Sequence, residues 1–144
     1  FSDSHKKTYQ VRDSSLQETL KRRLTERLKN SKNMLIIISD GTNWNRGLLN
    51  WEIEKAVDVY SLPLIIAYTG ERAILNPLLM KDKWPKSLAE RICNSTAMCI
   101  HIPFREKAIA DAVPRFTIHS MGDDRLTSPY TKYTKEAYES WGYL

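Results

Sequence analysis

A chain of 144 residues, 42% hydrophobic and 27% charged, holds enough apolar side chain for one core and is neither a disordered tail nor a coiled coil. Its formal charge of +5 is modest, and no apolar run approaches the ~20 residues that a membrane-spanning helix needs. The opening Phe1-Ser2-Asp3-Ser4-His5-Lys6-Lys7 lacks the apolar centre of a signal peptide, which makes the cytoplasm the expected compartment.

Ser15-Leu16-Gln17-Glu18 fits a capping box, and Leu16, Leu20, Leu24 and Leu28 then recur every four residues. The spacing predicts an amphipathic helix from Leu16 to Lys29. Lys21, Arg22, Arg23, Arg27 and Lys29 fall on its other faces and read as a solvated surface rather than a nucleic-acid stripe. Met34 to Ile38 is a short, β-branched apolar run, as in a strand buried on both faces. A polar loop, Ser39 to Gly47, leads into a helix expected over Leu48 to Tyr60. Pro63 opens a second strand, Leu64 to Tyr68.

After a longer loop, Gly70 to Lys83, Pro85 suits the first turn of a third helix that runs to Cys93. Ala97 to Ile102 reads as a third strand, with His101 as a satisfied core histidine and Cys99 as a small buried hydrophobe. A fourth helix is expected from Arg105 to Val113, stopped by Pro114. Cys93 and Cys99 match no zinc or CxxC spacing, so no metal is expected.

Helix and strand alternate at ~30-residue intervals, the pattern of βαβ units and a parallel sheet. The expected organisation is an α/β domain over residues 1–115 and an aromatic extension, 116–144, packed on the same domain. The extension carries Tyr130, Tyr133, Tyr138, Trp141 and Tyr143, with a short helix within Lys132 to Trp141. Three strands make a thin sheet, and Phe1 to Asp13 has no strong pattern. A first strand–helix unit is therefore expected to be absent from this chain.

In open parallel sheets ligands bind beyond the carboxyl ends of the strands, which is where Ser39 to Gly47 lies. Asp40, Thr42, Asn43, Trp44 and Asn45 in that loop are candidate ligand contacts, although any of them can serve as turn residues. The following helix begins with Trp51, Glu52 and Glu54 in its first turns. A carboxylate there is held ionised by the helix dipole and pushed the other way by an apolar pocket, a balance that suits an acid, a base or a stabiliser of positive charge.

Taken in order, "FSDSHKKTYQVRDSS", "LKRRLTERLKNSKNMLIIIS" and "DGTNWNRGLLNWEIEKAVDVYSLPLIIAYTG" resemble bacterial TIR (Toll/interleukin-1 receptor)-like domains of the Thoeris antiphage-defence type. "NWEIEKA" is the most specific stretch, and the resemblance covers Phe1 to about Gly70. It implies a flavodoxin-like TIR fold, with helices on both faces of the sheet. It also implies an enzyme that cleaves the bond between nicotinamide and ribose in NAD, as a glycohydrolase or an ADP-ribosyl cyclase or transferase, making a nucleotide second messenger in antiviral defence. NAD is then substrate, and no cofactor is expected.

By the resemblance Glu52 is the catalytic residue, and Asp40, Thr42, Trp44, Asn45 and Trp51 are substrate contacts. Leu48 stands where enzymatic members often carry a tryptophan. Expected partners are further copies of the chain, through TIR–TIR contacts, and an effector that senses the product, but neither membrane nor nucleic acid. The alternative is a non-catalytic TIR module that works by self-association.

Overall fold

The computed structural model describes residues 14–40 and 48–144. In chain order they form α1 (Ser14–Lys29), β1 (Met34–Ile38), α2 (Leu49–Asp58), β2 (Leu64–Tyr68), a 3-10 segment (Pro77–Lys83), α3 (Lys86–Cys93), β3 (Cys99–Pro103), α4 (Glu106–Arg115), a 3-10 turn (Gly122–Asp124), β4 (Thr131–Lys132) and α5 (Lys135–Ser140). The strands build one parallel sheet in the order β1-β2-β3-β4. The domain is α/β with helices on both faces, in keeping with a flavodoxin-like TIR fold.

The registers are simple. Leu64 pairs with Met34 on one side and Cys99 on the other, and Tyr68 pairs with Ile38 and Pro103. All five residues of β2 are buried, so a strand without polar alternation sits at the centre of the sheet. Leu64, Ile66 and Tyr68 face a core with Ile53, Ala56 and Val57 of α2 and Leu88 and Ile92 of α3. Ile65 and Ala67 face the other core, with Ala108 and Ala112 of α4.

Tyr133, Tyr138 and Tyr143 belong to that second core, beside Phe116 and Leu126. Tyr133 lies edge-on to Trp141, with ring centroids 4.9 Å apart, and its hydroxyl donates to Asp111 of α4 at 2.6 Å. The aromatic segment therefore shares with α4 the layer that covers this face of the sheet.

Three elements depart from the sequence reading. Helix α1 begins at Ser14, so Ser15 is inside it and the capping position lies outside the described residues. The leucine stripe is buried only at its far end: Leu24 and Leu28 are in the core, while Leu16 is 43% exposed. Pro114 does not stop α4, which runs to Arg115. A proline one residue from the end forfeits a single ladder hydrogen bond, and the Phe116 amide still reaches the Ala112 carbonyl at 3.0 Å. Strand β4 has two residues and no apolar signature.

Among the described residues β1 has no strand beyond it, and Leu35 and Ile37 on its α4 face are 38% and 48% exposed. A run that reads as buried on both faces is covered here on one. This is the edge and face on which a further strand–helix unit would sit.

Candidate functional site

Parallel strands bring the segments after β1 and β2 to the same end of the sheet. Asp40 follows β1, and its carboxylate meets the Lys83 ammonium at 2.9 Å, tying the start of that loop to the end of the 3-10 segment. Asp40 raises the pKa of Lys83 by accepting this bond. Thr42, Asn43, Trp44 and Asn45 lie outside the described residues.

Glu52 enters the structure in the first turn of α2, where its amide donates to the Leu48 carbonyl at 2.8 Å. No side chain caps this helix end at Leu48, so the amides of the first turn add their partial positive charge to the site. The Glu52 side chain is half-buried. Burial pushes its pKa above the usual carboxylate range, and Arg27 of α1 opposes this through its charge. The Glu52 carboxyl, its pKa raised by burial, thus stands at the strand-end side of the sheet.

The neighbours of Glu52 in "NWEIEKA" have other duties. Asn50 accepts the Ser87 amide at 2.9 Å, and Glu54 accepts the Ser87 hydroxyl at 3.0 Å. Pro85, at the cap position of α3, offers no side-chain acceptor, so Asn50 satisfies an orphan amide of that helix from across the interface. Below them Arg91 grips Asp58 through two nitrogens, at 3.1 and 2.6 Å. Asn50→Ala should lower stability by about 1 kcal/mol with no direct effect on Glu52 chemistry. A urea melt beside an activity assay checks this, and a selective loss of activity would move Asn50 into the site.

Trp51 points toward α1. The Lys21 and Lys55 ammonium groups lie 5.8 and 5.9 Å from its ring centroid. The structure thus sets Trp51 with Lys21 of α1 and Lys55 of α2, and places Asp40 with Lys83.

Behind the site is a buried polar relay. The Trp84 indole donates to the Tyr68 hydroxyl at 2.8 Å, and that hydroxyl lies 2.7 Å from His101 Nδ1. His101 Nε2 lies 2.8 Å from the Pro129 carbonyl. One proton arrangement satisfies every atom: Nε2 carries the hydrogen and donates to Pro129, while Nδ1 accepts from Tyr68. Burial holds the His101 pKa down at about 4, against the pull of the Pro129 carbonyl. The relay fixes Trp84, next to Lys83, and ties the chain before β4 to the sheet.

Sequence reasoning missed three participants. Arg27 is exposed, as a solvated helix face requires, but its charge also acts on Glu52, which the sequence did not reveal. Lys83 sat in a loop with no pattern. The Tyr68–Trp84 bond joins residues on either side of that loop. Among the described residues no group of three His, Cys, Asp or Glu could hold a metal ion, and no helix is long and apolar enough to cross a membrane.

The family comparison agrees with this geometry. Residues 1–73, half of the chain, match the model of the Thoeris protein ThsB, TIR-like domain, and this match includes α1, β1 and α2 with Glu52. The chain belongs to that family of antiphage-defence TIR-like domains.

Proposed function

We propose that this domain cleaves the N-glycosidic bond between nicotinamide and ribose in NAD, and that Glu52 is its catalytic residue. The observation that carries the reading is a half-buried carboxylate in the first turn of α2, at the strand-end side of a parallel sheet, in a family of TIR-like domains.

In the reaction the bond from the ribose anomeric carbon to the ring nitrogen breaks. Its electron pair goes to the nitrogen and neutralises the pyridinium, so nicotinamide leaves without a proton donor. Positive charge develops on the ribose, and the ionised Glu52 carboxylate stabilises it. Water then yields ADP-ribose and a proton, or a hydroxyl of the same or another molecule closes a cyclic or conjugated product. One carboxylate suffices, in contrast to the paired acids of ordinary glycosidases. Asp40, Thr42, Trp44 and Asn45 are the proposed substrate contacts, whereas Trp51, a candidate contact by the resemblance, turns away toward α1. No cofactor is required, and the product would act on an effector as a second messenger in the cytoplasm.

The test is nicotinamide release from NAD by the full-length protein, with Glu52→Gln as control. The ionised form is the working form, so kcat/KM should rise with pH through an apparent pKa above 4.5, the ordinary value for this carboxyl. A pH–rate profile with no acid limb in that region would remove Glu52 from the role.

A second reading is an adaptor that works by self-association. It draws on Leu75, Leu78 and Leu79, which are exposed in the segment after β2, Leu79 at 76%. The two are separable. An enzyme that assembles loses specific activity on dilution, whereas an adaptor assembles without releasing nicotinamide.

A further inference from the structure

The outer seam between α1 and α2 holds a shallow groove of about 390 Å³, lined by Glu18, Lys21, Arg22, Thr25, Trp51 and Lys55. Three of its six side chains are cations and one is an acid. Among the described residues none of Lys21, Arg22 and Lys55 has a carboxylate within ion-pair distance, so the groove keeps a surplus of two positive charges. Lys21 and Lys55 are half-buried, and each is drawn to the Trp51 ring by its π face.

Two ammonium groups within 6 Å of one ring centroid are at most about 12 Å apart. Holding them together costs mutual repulsion that an anion between them would relieve. Thr25 spends its hydroxyl hydrogen on the Lys21 carbonyl at 2.8 Å, which leaves recognition to the cations and the indole.

From this arrangement we infer that the Trp51 groove is a binding site for a diphosphate group, separate from the Glu52 carboxylate. Lys21, Arg22 and Lys55 neutralise the phosphate oxygens, and the indole forms the apolar wall. The groove is shallow and mostly polar, with room for a diphosphate group lying along it. Glu52 contributes nothing to the lining. The inference therefore stands whether or not the domain cleaves NAD.

The experiment follows the indole N–H resonances of the 15N-labelled full-length protein, with Trp51→Phe identifying the Trp51 signal. The probes are inorganic pyrophosphate, ADP and adenosine. Pyrophosphate and ADP should each shift the Trp51 signal saturably, and adenosine should not. Tighter binding of ADP than of pyrophosphate would assign the site to nucleotides. Equal binding would assign it to the diphosphate alone.

Lys55→Gln should weaken binding about fivefold, and adding Lys21→Gln by a similar factor again, the range for one exposed charge pair each. Glu52→Gln should leave the affinity within about twofold. The inference is overturned if neither phosphate probe shifts Trp51, if the double variant binds as well as the native chain, or if Glu52→Gln abolishes binding. It is also overturned if a random-sequence single-stranded oligonucleotide takes the site far more tightly than ADP. That outcome would make the basic helix a nucleic-acid surface.

Discussion

Glu52→Gln is expected to reduce nicotinamide release from NAD by at least about 100-fold, the usual effect of deleting one group aimed at developing charge. Glutamine keeps the shape and removes only the charge, so the fold should persist. The stability should rise slightly, for a physical reason. In the folded state burial raises the Glu52 pKa, so between 4.5 and that raised value the folded chain holds more protons than the unfolded one. Stability from this group is present at low pH and is lost as pH climbs through the raised pKa. An uncharged side chain escapes that loss. Full turnover by Glu52→Gln would end the catalytic assignment. A variant that is inactive and also unfolded by circular dichroism would leave the decision to Glu52→Asp, which keeps the charge and withdraws it by one methylene. Glu52→Asp should retain measurable activity under the proposal, and a folded Glu52→Asp with no nicotinamide release would end it.

The second large effect concerns His101. His101→Ala should destabilise the domain by about 3 kcal/mol. It deletes a ring from a closed core, leaves the Tyr68 hydroxyl hydrogen without its acceptor and leaves the Pro129 carbonyl without its donor. The same histidine makes stability depend on pH. Its folded pKa of about 4 lies below its ordinary 6.5, so the unfolded chain binds the extra proton first. Stability then rises with pH between about 4 and 6.5, and acidification from 7 to 4 should cost about 3 kcal/mol through this group. Asp58 titrates below that window, because its bond to Arg91 holds its pKa below 3.8. The slope of unfolding free energy between pH 4 and 6.5 should therefore flatten in His101→Gln. An unchanged slope would mean that His101 is as easily protonated folded as unfolded.

Much of this architecture was readable because the parallel strands are short apolar runs with hard punctuation. Pro63 and Gly70 bracket β2, and its five residues form the strand that the sequence reading placed there. Glu52 stood out because it opens a helix after a polar loop. Its environment did not, since Arg27 reaches it from another helix, and periodicity records which face a residue occupies without recording what faces it. β4 escaped for the opposite reason: two residues, Thr131 and Lys132, carry no hydrophobic code, and the pairing with Ile100 and His101 depends on the tail being led back by the Pro129 contact. Asn50 and Glu54 were read as part of one constellation with Glu52, whereas their partners show them fastening α2 to α3.

The two cysteines lie six residues apart on either side of a boundary between exposure and burial. Cys93 ends α3 in contact with solvent, and Cys99 opens β3 fully enclosed, with its thiol pKa pushed well up by burial. A thiol reagent should therefore meet two very different clocks in one molecule. The first thiol is consumed at the reagent's own pace. The second reacts only when the chain opens around the third strand, so its lag measures how often the centre of the domain comes apart. The molecule carries an internal gauge of its own breathing, with a built-in reference six positions away.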